Sequence, residues 1–151
     1  MRIVFVCLGN ICRSPAAQGA VQTLRPGWTL DSAGTGHWHV GEAPYAPMQR
    51  AAAARGIDLS AQRARHFNAR DFEEFDLIIA MDSQNRADIE RLRPAGNRRP
   101  VRLMTDFVPT GGDYPDVDHV PDPYYTRDFD GALDLIQAAA AGLVQRIEAI
   151  P

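Results

Sequence analysis

The strongest constraint on this chain lies near its start, where Ile3-Val4-Phe5-Val6-Cys7 runs directly into Leu8-Gly9-Asn10-Ile11-Cys12-Arg13-Ser14-Pro15. Ile3 to Val6 is an apolar, β-branched run of the length of a buried strand. Gly9 and Asn10, which tolerate left-handed backbone, then mark a tight loop. Pro15 suits the first turn of a helix, where its missing N–H costs nothing. The stretch reads strand, loop, helix N-terminus.

That order has a chemical consequence. Backbone N–H groups curling around a loop make a concave anion site, and a helix start adds free donors and partial positive charge. Cys7 and Arg13 frame the loop. A thiol at a helix N-terminus beside an arginine ionises more readily than a free one. Arginine's planar fork matches two oxygens of a phosphate, which lysine cannot copy. The arrangement predicts a phosphate held over a sulfur nucleophile. A structural alternative treats Cys7 as a small hydrophobe at a strand end.

With 151 residues the chain is expected to form one domain, 1–151, with a core that needs no staples. A net charge of −3 argues against nucleic acid as partner. All 16 basic residues are arginine, dispersed among acids as on a solvated mixed-charge surface. The apolar run after Met1-Arg2 is too short for a signal peptide, and no segment is long enough to cross a bilayer, so no membrane role is expected. The only two cysteines, Cys7 and Cys12, share the loop, which fits a reduced, cytoplasmic setting better than a disulfide framework.

Further along, a helix is expected from Pro15 to about Leu24 and a strand over Trp28 to Asp31, which delivers Ser32 to Gly36 into a loop. A helix over Tyr45 to Arg55 closes at Gly56, and Phe67 to Phe75 holds a short helix with Asn68 as N-cap. Strands are expected at Asp76 to Ala80 and Val101 to Leu103, with a helix from Ser83 to near Arg93 between them. Thr105 to Arg127 is a long aperiodic loop rich in Asp, Pro, Gly and Tyr, a length that usually serves function or is disordered. An amphipathic helix is expected over Asp128 to Ile150. Alternating strands and helices predict a parallel sheet covered on both faces, with ligands beyond the strands' carboxyl ends.

The string Cys7 to Pro15, almost at the N-terminus, resembles the low-molecular-weight protein tyrosine phosphatases, bacterial type. Asp31-Ser32-Ala33, Phe75-Asp76, Met81-Asp82 and Asp122-Pro123-Tyr124-Tyr125 fall in family order, so the resemblance covers nearly the whole chain. It implies a three-layer α/β sandwich with a four-stranded parallel, Rossmann-like sheet. It implies hydrolysis of phosphotyrosine in two steps through a cysteinyl-phosphate, without a cofactor or metal. Cys7 would be the nucleophile, and Arg13 with the backbone of Leu8, Gly9, Asn10, Ile11, Cys12 and Ser14 would bind phosphate. Phosphotyrosine proteins would be substrates, a tyrosine kinase a candidate partner, and phosphate or other oxyanions inhibitors.

A phenolate leaving group, with a conjugate-acid pKa near ~10, calls for a proton donor. By composition alone Asp122-Pro123 is an ordinary turn; the resemblance makes Asp122 the general acid, ahead of Asp116 and Asp118, which precede no proline. Asn10, Ser14 and Ser32 are expected behind the reacting atoms, with Ser14 giving its hydroxyl to the thiolate or serving as an N-cap. Ile11, Trp38, Tyr124 and Tyr125 are candidate pocket walls, or else loop residues packing on their neighbours. The resemblance favours a reversible Cys7–Cys12 disulfide over a purely structural Cys12.

One departure stands out. Members of that family often have a histidine after the serine matching Ser60; here Ala61 follows, and His66 is expected at the surface. An arsenate reductase would need more cysteines than Cys7 and Cys12. An arginine phosphatase typically has threonine where this chain has Ile11. A binding or redox-sensing module without turnover would be expected to lose Cys7 or Asp122, and both are present.

Overall fold

The computed structural model describes residues 1–148. Among them, β1 (Arg2–Cys7), β2 (Thr29–Gly34), β3 (Leu77–Ala80) and β4 (Val101–Leu103) form one sheet in the order β2-β1-β3-β4, every pairing parallel. Helices α1 (Arg13–Leu24), α2 (Ala46–Ala53), α3 (Asp71–Glu74), α4 (Ser83–Glu90), α5 (Pro123–Thr126) and α6 (Phe129–Glu148) complete the chain. This is the expected α/β sandwich.

The two-residue period of β1 sorts its side chains between the sheet's faces. Ile3, Phe5 and Cys7 join the core under α1, α2 and α6, with Met48 and Leu133. Val4 and Val6 join the opposite core, with Phe67, Phe72, Ile78 and Ile89. Both faces of β1 are therefore buried, which explains its unbroken apolar sequence. Phe5 is fully buried, and its truncation to alanine is worth about 3–5 kcal/mol. On the first face α6 runs so close to the chain that a Cβ on Gly142 would lie 1.8 Å from the Phe107 carbonyl oxygen, so only glycine fits.

Several boundaries differ from expectation. β2 continues to Gly34 because Ser32, Ala33 and Gly34 find partners in Phe5, Val6 and Cys7. The short helix expected within Phe67 to Phe75 is α3, which starts later than an Asn68 cap would place it. Asn68 is not its N-cap: its side chain accepts from Arg70 N, two residues on. α4 stops at Glu90, short of Arg93. The long Thr105–Arg127 segment contains the end of a 3₁₀ turn, Met104–Phe107, and the whole of α5. Gly56, at φ 78°, does end α2: its N–H and that of Ile57 bond back to Ala53 and Ala52, as in a Schellman motif. Ile150, the expected end of the last helix, lies outside the described residues.

Candidate active site

β1 ends at Cys7 in the middle of the sheet, and the next residues curl before α1 begins at Arg13. Asn10 takes φ 57°, the left-handed conformation its short amide tolerates, and this turns its N–H onto Cys7 Sγ at 3.2 Å. The carbonyls of Cys7, Leu8 and Ile11 accept from Thr35, Gly36 and Tyr45 N–H groups outside the loop. With those oxygens drawn outward, the loop's N–H groups are left for its inner side. A Cβ at Gly34 would sit 2.8 Å from the Leu8 carbonyl oxygen, so glycine lets the end of β2 press against the loop.

Behind the sulfur is a closed polar network. Ser14 Oγ lies 3.1 Å from Cys7 Sγ. Asn10 Nδ2 donates to both Ser14 Oγ and Ser32 Oγ, each at 2.9 Å, and Asn10 Oδ1 accepts from Arg65 N. Because Ser14 already accepts from Asn10, its own proton is left for Cys7 Sγ at 3.1 Å or the more distant Ala33 carbonyl at 3.5 Å. The N-cap alternative for Ser14 fails, since α1 has no side-chain cap. Asn10 and Ser14 are buried behind Cys7 and do not line the cavity in front of it.

Gln62, which the sequence reading missed, joins this network. Its Oε1 accepts from Ser32 Oγ at 3.3 Å, and its Nε2 donates to the Pro15 carbonyl. His66 stays outside, exposed, with Nε2 against the Thr35 carbonyl.

Arg13 reaches over the loop with only 3 % of its surface exposed. Its Nη1 donates to Asp82 Oδ2 at 2.7 Å and to the Val120 carbonyl at 3.1 Å, while Nη2 meets Asp122 Oδ2 at 3.5 Å. Burial opposes its charge, but Cys7, Asp82 and Asp122 outweigh that and raise its pKa. Among the described residues Nε of Arg13 is buried with no partner. Asp82, also missed, is anchored as the N-cap of α4 by Asn85 N.

In front of Cys7 is a cavity of about 270 Å³. Its floor is Cys7, Leu8, Gly9, Ile11, Cys12 and Arg13, and Asp122 stands at its side. Asp122 caps α5 through Tyr124 N, and Pro123 follows it as the buried first residue of that helix. Asp116 and Asp118 do not line this cavity but a different groove.

Trp38, Tyr124 and Tyr125 form the exposed rim, joined by His39, which the sequence reading did not single out. His39 is held by Glu42 at 2.6 Å; its place beside Trp38 was the available signal. Trp38 is 67 % exposed and stacks on His37, and Tyr124 packs edge-on against Tyr125. Cys12 is buried, and its thiol pKa is pushed up to about 12, first by burial and then by Cys7 and Asp122.

Known proteins resemble this chain in sequence and fold. The family profile described as low molecular weight phosphotyrosine protein phosphatase matches residues 2–150. A low molecular weight protein-tyrosine-phosphatase of Streptomyces coelicolor is 38 % identical, with 97 % of this chain and 93 % of that protein covered. The crystal structure of YfkJ from Bacillus subtilis superposes with TM-score 0.90 at 34 % identity, covering 99 % of this chain and 95 % of that one. A Drosophila arginine phosphatase superposes with TM-score 0.91 at 26 % identity, over the whole of both chains. Among the described residues, no helix is long and apolar enough to cross a membrane.

Proposed function

Since the chain belongs to the low molecular weight phosphotyrosine protein phosphatases and is a protein-tyrosine phosphatase, we propose that residues 1–151 act as one domain that hydrolyses phosphotyrosine through a phosphate ester of Cys7. The observation that carries this is Cys7 Sγ at the floor of a cavity, with Ser14 Oγ and Asn10 N behind it and, in the same floor, buried Arg13, whose Nε has no partner among the described residues.

In the first step the Cys7 sulfur attacks phosphorus, the bond from phosphorus to the tyrosyl oxygen breaks, and Asp122 passes its proton to that oxygen. The loop amides of Leu8, Gly9, Ile11, Cys12 and Arg13, with the Arg13 fork, hold the equatorial oxygens, where charge gathers. The unpartnered Nε supports this role, because a phosphate oxygen is the kind of acceptor it lacks. In the second step the Asp122 carboxylate takes a proton from water, whose oxygen attacks phosphorus as the S–P bond breaks. Inorganic phosphate leaves and the thiolate is restored, so phosphate and similar oxyanions inhibit.

Depth supports the substrate class. Cys7 is 2 % exposed, whereas Trp38, Tyr124 and Tyr125 stand 67 %, 41 % and 72 % exposed at the rim. A phenyl ring spans that depth between aromatic walls and over Ile11, whereas serine and threonine are too short. Phosphorylated proteins made by a tyrosine kinase, in a reduced cytoplasm that suits free Cys7 and Cys12, are the fitting substrates.

The test is rapid acid quench with labelled phosphotyrosine peptide, alongside phosphoserine and phosphoarginine peptides. Label on Cys7, its loss in Cys7→Ser, and turnover confined to phosphotyrosine are expected. Label on another residue, or equal kcat/KM on phosphoserine, overturns the assignment.

A further inference from the structure

On the far side of the acid loop lies a groove of about 590 Å³. Pro121 lines this groove and its neighbour Asp122 lines the active-site cavity, so one backbone step of about 3.8 Å joins the two sites along the chain. Thr126, the last residue of α5, lines the groove just past Tyr124 and Tyr125 of the active-site rim.

The lining combines two chemistries. Tyr114, Val117, Pro121, Ala132 and Leu135 give it an apolar bed. Asp116, Asp118 and Asp128 give it carboxylates; His119 lines it too, and among the described residues no arginine does. Between Asp113 and Asp134 the chain carries aspartates and a single arginine, Arg127, whose guanidinium is drawn away over the Tyr45 and Phe129 rings. Asp130 and Asp134 are answered by Arg55. Asp118 meets His119 at 2.7 Å, while no ion pair is formed by Asp116 or Asp128 among the described residues. Asp128 Oδ1 also accepts from Gly131 N, so Asp116 is the groove carboxylate with neither an ion pair nor such a bond among the described residues. An apolar bed beside net negative charge complements a side-chain pair that is apolar and cationic.

We propose that this groove seats a segment of the phosphoprotein substrate, an arginine or lysine beside an apolar residue within about six residues of the phosphotyrosine. The proposal rests on the phosphatase reading above and adds a sequence preference to it. At 3.3–3.6 Å per extended residue, six residues reach about 20 Å, ample for a segment that passes the acid loop. Arginine or lysine at that place also raises the encounter rate, since a field of one sign steers the opposite charge.

The test compares phosphotyrosine peptides that differ only in a Leu-Arg, Leu-Ala or Leu-Glu pair four residues before or after the phosphotyrosine, with phenyl phosphate as reference. In at least one placement, kcat/KM relative to phenyl phosphate is expected to be about five- to tenfold higher for Leu-Arg than for Leu-Glu, shrinking toward equality at high salt. The variant with Asp116→Asn and Asp118→Asn should lose that preference. Asparagine accepts the left-handed backbone of position 116, where φ is 63°, so the loop keeps its shape. Equal ratios for all peptides in both placements, or a preference that survives in the variant, refutes the proposal. So does a wild-type dimer in sedimentation that the variant abolishes, which gives the groove to a second copy of the chain. Failure to hydrolyse phenyl phosphate removes the phosphatase reading itself and the proposal with it.

Discussion

Asp82 is the residue whose replacement says most about how this site is held. Its carboxylate does two jobs: Oδ1 caps α4 through Asn85 N, and Oδ2 grips Arg13 Nη1. Asp82→Asn can keep the capping oxygen while removing the charge that faces Arg13. A hydrogen bond between charged groups contributes about 1.5–3 kcal/mol, and Arg13 would retain the Val120 carbonyl and Asp122 as partners. The net loss should therefore be about 1–3 kcal/mol, or a fall in Tm of about 3–10 °C for a chain of this size. Arg13 would also be free to drift, and a guanidinium misplaced by about an ångström costs roughly a hundredfold in a reaction that depends on orientation. We expect kcat/KM on an aryl phosphate to fall by about 10–100-fold, with weaker product inhibition by phosphate. Asp82→Ala should lose a further ~0.5–2 kcal/mol through the missing cap, with little additional effect on rate. An Asp82→Asn enzyme with unchanged Tm, kcat/KM and phosphate inhibition would refute the idea that this carboxylate sets the arginine.

Three other outcomes are expected. Asp122→Ala should slow hydrolysis of a phenyl ester with a poor leaving group by about 10²–10⁴-fold and of an activated nitrophenyl ester much less; equal losses would deny Asp122 the acid role. At pH 8 one equivalent of iodoacetamide should label Cys7 and spare Cys12, whose thiol, with a pKa of about 12, stays neutral there. After peroxide, Cys7 sulfenic acid and the Cys12 thiol should condense to a disulfide with loss of water. That condensation should quicken as pH rises, since more Cys12 is ionised and the repelling Cys7 charge is gone. A peptide map with Cys12 alkylated as fast as Cys7 would contradict this account.

The sequence was most informative where structure is local. Strand, left-handed Asn10 and helix start follow one another without a gap, so the loop could be read from its own residues. Asp122-Pro123 was an ordinary turn on local grounds, and only the resemblance of Asp122-Pro123-Tyr124-Tyr125 to a family motif set Asp122 apart. What escaped depends on distant chain segments meeting. Arg13 and Asp82 are separated by 69 positions, and nothing at Met81-Asp82 says which cation its carboxylate will find. Gln62 is another such case: a glutamine in a polar stretch, it matters only because Ser32 and Pro15 come within reach of its two amide atoms. The start of α3 was placed too early because Asn68 is a good cap residue, yet its side chain accepts from Arg70 N only two residues on, in a local turn that precedes the helix.

The sheet order also governs how the protein comes to life on the ribosome. β1 is made first but ends in the middle, with β2 on one side and β3 on the other. A growing chain that has just docked β2 already holds Cys7, Asn10, Ser14 and Ser32 in neighbouring segments, yet Asp82, Val120 and Asp122 have still to be synthesised. Arg13 has none of those anchors during that interval. If Cys7 and Asp122 act as proposed, a nascent chain carries its nucleophile long before the means to use it, and activity becomes a late marker that translation has passed Asp122.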